Sequence, residues 1–103
     1  MKYLSLFFMA VFVCMAAHAQ SPALRVGILT DGTSDFWTAL HEAALEESRE
    51  QGIVLDFQTP DPATMEQQQI LAQKMLENGV QALAFCPIKP KEQQAFLKEI
   101  SPK

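Results

Sequence analysis

Three short apolar runs, each followed by a longer stretch of helix-forming residues, set the narrowest limit on what this chain can fold into. Leu24 to Thr30 suits a buried strand, and Phe36 to Gln51 follows with Phe36, Leu40, Ala43 and Ala44 spaced for one helical face. Gly52 stops that helix. Ile53 to Gln58 reads as a second strand, Pro60-Asp61-Pro62 breaks the chain, and Thr64 to Asn78 predicts a second helix with Ile70, Leu71 and Met75 spaced for burial. Gly79 stops it in turn. Val80 to Cys86 is a third apolar strand, and beyond Pro87 and Pro90 a third helix is expected from Lys91 to Ile100.

The helix ends agree with this division. Asp35 can cap the first helix, Thr64 and Gln67 have capping-box spacing, and both long helices are followed by a glycine where a left-handed residue is wanted. The order is βαβαβα, which implies parallel strands joined by right-handed crossovers, and continuous apolar strands fit a sheet covered on both faces. The expected class is therefore a three-layer α/β fold with strand order 2-1-3. In such a sheet the ligand crevice lies beyond the carboxyl ends of the strands where the order switches. Thr30 to Asp35 and Pro87 to Pro90 flank it, Thr59 to Asp61 lies farther along the same edge, and Phe36 and Trp37 stand at its rim. The sequence contains no internal repeat, low-complexity tract or linker.

The first nineteen residues read as an export leader rather than as part of the domain. Met1-Lys2 is a short basic start, Leu4 to Ala17 is almost wholly apolar, and Ala17-His18-Ala19 has the small-x-small form that signal peptidase cleaves before Gln20. The apolar stretch is shorter than the roughly 20 residues of a membrane-spanning helix, and an uncleaved anchor is the competing reading. Cys14 follows Val11-Phe12-Val13 and lacks the small residue that a lipid-attachment site needs just before its cysteine. Export, to the periplasm or otherwise out of the cytoplasm, without stable membrane insertion after cleavage, is the expectation.

Loss of Lys2 with the leader moves the formal net charge from −4 to −5. An acidic balance argues against a nucleic-acid partner, whose recognition requires clustered positive charge. Cys86 is then the single remaining cysteine, so no disulfide within the mature chain can reinforce a small core.

With these elements placed, "VGILTDGTSDFWTAL" and "EQGIVLDFQTPDPATMEQQQILAQKMLENGVQALAFCPIKP" together resemble the N-terminal start of the periplasmic sugar-binding proteins of the ribose- and galactose-binding type, which deliver ligands to ABC importers. The likeness spans nearly all of residues 20–103. It is carried by a polar loop leading to paired aromatics, a helix ending in Asn-Gly before an apolar strand, and a proline just after that strand.

The resemblance implies an incomplete N-terminal lobe of a two-lobed binding protein over residues 20–103, and it implies roles for particular residues. Phe36 would stack on the apolar face of a sugar ring. Trp37 would either share that role or pack into the core. A sugar suits such a surface because its C–H face desolvates against a ring while its hydroxyls need partners around the rim. Ser34 and Asp35 stand where relatives place polar residues that contact hydroxyls. One departure stands out: the family's acidic residue after the third-strand proline is replaced, since this chain reads Cys86-Pro87-Ile88-Lys89. Lysine only donates. Either Lys89 meets an acceptor or a negative group on the ligand, or it points to solvent.

Other motifs do not survive inspection. Asp31-Gly32-Thr33 matches part of a phosphatase nucleophile loop, but Leu29 occupies the position of the nucleophilic aspartate. His41-Glu42 has no second histidine four residues on, so a zinc site of that type is absent and His41 is read as a helix-surface residue. Gly27 and Gly32 do not form a dinucleotide- or phosphate-binding loop, and no cofactor is expected. Cys86 reads as a small buried apolar residue. Glu42, Glu46, Glu47 and Glu50 read as a solvated face, and Gln67-Gln68-Gln69 likewise.

The sequence therefore points to an exported, non-enzymatic solute-binding protein for a monosaccharide or similar polyol, serving an ABC permease when complete. A ligand-sensing ectodomain of a membrane receptor or chemosensor is the alternative. The effector domain of a lactose-repressor-like regulator is disfavoured by the leader, and a small exported enzyme finds no nucleophile with a base.

Overall fold

The computed structural model describes residues 22–102, so the leader reading at residues 1–19 lies outside the described residues. Six elements follow one another: β1 (Arg25–Leu29), α1 (Asp35–Gln51), β2 (Val54–Gln58), α2 (Met65–Glu77), β3 (Ala82–Phe85) and α3 (Gln94–Ile100). The strands form one parallel sheet in the order β2-β1-β3. Ladder bonding runs past the strand ends, since Val54 N–H donates to Leu24 O at 2.9 Å, Thr30 N–H to Gln58 O at 3.0 Å and Cys86 N–H to Leu29 O at 3.1 Å. The chain is α/β, as the alternation of apolar runs and helices implies.

Strand pleating assigns the faces. Ile28 pairs with Phe57 and Ala84 across the sheet, and on that face the Phe57 ring stacks on His41 of α1 with centroids 4.1 Å apart. Gly27 and Leu29 point the other way, toward α2. A Cβ at Gly27 would sit 2.6 Å from Met75 Cε, 3.0 Å from Val80 Cγ1 and 3.1 Å from Leu83 Cδ1, so the glycine relieves crowding where α2 and the chain after it meet the sheet. The core on this side is Leu29, Ala72, Met75 and Val80, with Leu71, Leu83, Phe85 and Phe96 of α3 packed around it. The sheet is thus a middle layer between α1 on one face and α2 with α3 on the other.

Helix ends explain where the elements stop. Thr64 caps α2 by accepting from Gln67 N–H at 3.2 Å, while Gly52 and Gly79 take φ of 67° and 88° after their helices, a region costly to residues with a Cβ. The cap of α1 is Ser34, not Asp35: the serine has extended backbone and its Oγ accepts from Trp37 N–H at 3.2 Å. Asp35 is instead the first helical residue, where its negative charge complements the helix dipole.

Three packing expectations and one helix boundary need correction. The inward stripe of α1 is Trp37, Leu40, His41, Ala44, Leu45 and Ser48, all at least half-buried, while Phe36 and Ala43 are exposed. In α2, Ile70 is 48% exposed, and Gln68 takes the buried position instead. His41 is not a plain surface residue, because the stacked Phe57 ring half-buries it. Finally, α3 begins at Gln94, three residues later than the sequence suggests, because the chain is still turning through residues 90–93.

Candidate functional site

The polar loop between β1 and α1 is built around Thr30, which is fully buried at the carboxyl end of the central strand. Its Oγ1 donates toward Gly32 O at 2.8 Å and lies 3.0 Å from Thr59 Oγ1 in the loop after β2, tying the two loops together. Asp31 follows, exposed, and its Oδ1 accepts a hydrogen bond from the indole Nε1–H of Trp37 at 2.8 Å. This bond closes the loop over the first turn of α1. The Phe36 ring meets the Trp37 ring edge-on at 5.1 Å and is otherwise open, with 66% of its surface exposed.

Two hollows open on either side of Trp37. One, of about 240 Å³, is lined by Phe36, Trp37 and Leu40 of α1 and by Ile28, Ala84 and Cys86 of the sheet; it is almost entirely apolar. The other, of about 310 Å³, lies between Ser34, Trp37, His41, Phe57 and Thr59 and is mixed in character. A larger hollow of about 450 Å³ sits at the opposite end of the sheet beside Arg25, Val54, Asp56 and Asn78. Size alone does not select it: the helix-terminal aromatics and the loops where the strand order switches are at the carboxyl end, which is where a sheet of this topology exposes a crevice.

The third loop is held by a pair of buried amides. Gln68 Nε2 donates to Thr30 O at 3.0 Å and also to Cys86 O, while its Oε1 accepts from Ile88 N–H at 3.2 Å and from Gln93 Nε2 at 3.0 Å. Gln93 Oε1 in turn accepts from Lys89 N–H at 2.8 Å. Both side chains are fully buried, and their amide groups are bonded at the nitrogen and at the oxygen. The expectation that Gln67-Gln68-Gln69 is merely solvated is wrong for Gln68. It staples the ends of β1 and β3 to the loop that follows β3.

Of the sequence-selected residues, Phe36 and Trp37 come together, with Ser34 on the far side of Trp37. Asp35 is exposed on the first turn and lines neither hollow. Lys89 stands apart. Its side chain is 57% exposed and its Nζ lies 3.6 Å from Glu92 Oε2, an exposed pair of little energetic weight. The Cys86 thiol is pushed above its ordinary pKa by burial first, and then by the adjacent Asp31 carboxylate. It is half-buried rather than sealed in the core.

Sequence reasoning passed over Asp31, His41, Gln68 and Gln93. For Gln68 a signal existed: it shares a helical face with Ala72 and Met75 at i, i+4 and i+7. Among the described residues, no group of three or more His, Cys, Asp or Glu is placed to hold a metal ion, and no helix is long and apolar enough to cross a membrane. Comparison with protein-family models, curated proteins and solved structures found no match to the chain.

Proposed function

We propose that this chain is the ligand-facing part of an exported solute-binding protein that recognises a monosaccharide or similar polyol and passes it to an ABC-type permease. The observation that carries the reading is Phe36: a large aromatic ring, 66% exposed, at the mouth of the crevice made by the carboxyl ends of a parallel sheet. Such a ring costs solvation unless something covers it, and a sugar's C–H face is a matching cover. Hydroxyls and backbone groups of the β1–α1 loop line the second hollow, across Trp37 from Phe36, where they can partner sugar hydroxyls. The reading is of binding without covalent chemistry.

The test separates binding from folding. Phe36→Ala in the full chain should weaken binding of D-ribose, D-galactose, D-glucose or myo-inositol substantially while leaving the melting temperature within a few degrees. Truncating a core phenylalanine costs roughly 3–5 kcal/mol, and an exposed one far less. Unchanged affinity accompanied by a large fall in melting temperature would refute the assignment.

A further inference from the structure

Resting on the proposed function, we infer that Asp31 is the hydrogen-bond acceptor that selects hydroxyl-bearing ligands in this crevice, and that Trp37 is the residue that positions it. A sugar presents hydroxyl protons that need acceptors, and an ionised carboxylate is the strongest acceptor a side chain offers. Lys89 cannot fill this need, because it only donates and its ammonium is turned toward Glu92. Neither Asp35 nor Asp31 lines a hollow itself, but the Asp31 carboxylate is hydrogen-bonded to Trp37, which lines both. Asp31 is the remaining carboxylate of the β1–α1 loop. Its two side-chain neighbours, Trp37 and Cys86, both line the apolar hollow beside Phe36.

The geometry fixes the group rather than merely placing it nearby. The indole Nε1–H takes Oδ1 at 2.8 Å, and a carboxylate has about four acceptor positions, so the held group keeps capacity for ligand protons. Trp37 itself is half-buried on the inward stripe of α1 and so has less freedom than a surface side chain. An exposed aspartate would otherwise sample several rotamers and lose that freedom on binding. Holding it in advance lowers the cost of engaging a hydroxyl. Phe36 then supplies the surface for the ring, Asp31 the acceptor at its rim, and Trp37 the brace between them.

The intrinsic fluorescence of Trp37, the single tryptophan of the chain, reads the site directly. Full-length protein is titrated with D-ribose, D-galactose, D-glucose and myo-inositol, and then with the monodeoxy analogues of whichever binds. Asp31→Asn keeps an oxygen for the indole but removes the charge. It should weaken binding about tenfold or more, with the melting temperature unchanged, and one deoxy analogue should bind variant and wild type alike. Trp37→Phe keeps a ring and removes the brace, so, followed by calorimetry, it should reproduce that selective loss; an equal loss for every sugar and deoxy analogue would make Trp37 a stacking surface instead and overturn its positioning role. If wild type binds and Asp31→Asn binds as tightly, the assignment of Asp31 falls while the proposed function stands. If wild type binds none of the four, the proposed function falls and this inference with it.

Discussion

Cys86 shows how much of this site is decided by single neighbours. Burial and then Asp31 both oppose ionisation of its thiol, so its folded pKa lies above the ordinary thiol value. The sign follows: the protonated thiol favours the folded state up to the usual thiol range, and that contribution is lost as the pH climbs through the raised value. Alkylation of Cys86 by iodoacetamide, followed by peptide mass spectrometry, should therefore be slower at pH 8 than that of an unperturbed thiol. The midpoint of its rate against pH should fall part of the way back in Asp31→Asn. A midpoint that ignores the variant would show that the carboxylate does not act on the thiol.

At the scale of elements, legibility followed the strength of the pattern. The three strands and two long helices are plain in the sequence because apolar runs, glycine stops and a Thr64 cap all agree on them. What escaped was orientation about the helix axis. Ile70 is more apolar than Gln68, yet the face of α2 that meets the sheet is set by Ala72 and Met75, and Gln68 falls on that face. Burying an amide is tolerable only when every bond is met, and the partners that meet these lie 18 to 38 residues away along the chain. Propensity and periodicity cannot see them. Phe36 posed the reverse case, an aromatic assigned to a helix face that the structure leaves open. The α2–sheet contact also yields a stability prediction. Gly27→Ala places a methyl against Met75 Cε, which can move, but also 3.0 Å from Val80 Cγ1 and 3.1 Å from Leu83 Cδ1, which are wedged among core neighbours. Overpacking of this kind should lower stability by about 1–3 kcal/mol. Urea denaturation measures it, and an unchanged midpoint would show that the interface has slack.

Taken whole, the molecule is a sheet with unequal covering. The α2 and α3 side carries the sealed core, whereas on the α1 side Ala82 and Ala84 of β3 remain exposed beside Ile28. The crevice loops sit at one end of this sheet, and only a few bonds decide whether they move separately or together. The Gln68–Gln93 pair decides it for the loop after β3. Ile88 and Lys89 donate their backbone N–H groups to side chains that are fully buried against α2, although neither residue belongs to a helix or strand. Exchange of those two amides with deuterated solvent requires the buried amide pair to be disturbed, and they should show more protection than the amides of an ordinary surface loop. Protection of this kind would mean that the loop after β3 opens together with the core, so that a ligand gripping it would slow the breathing of the interior beneath it.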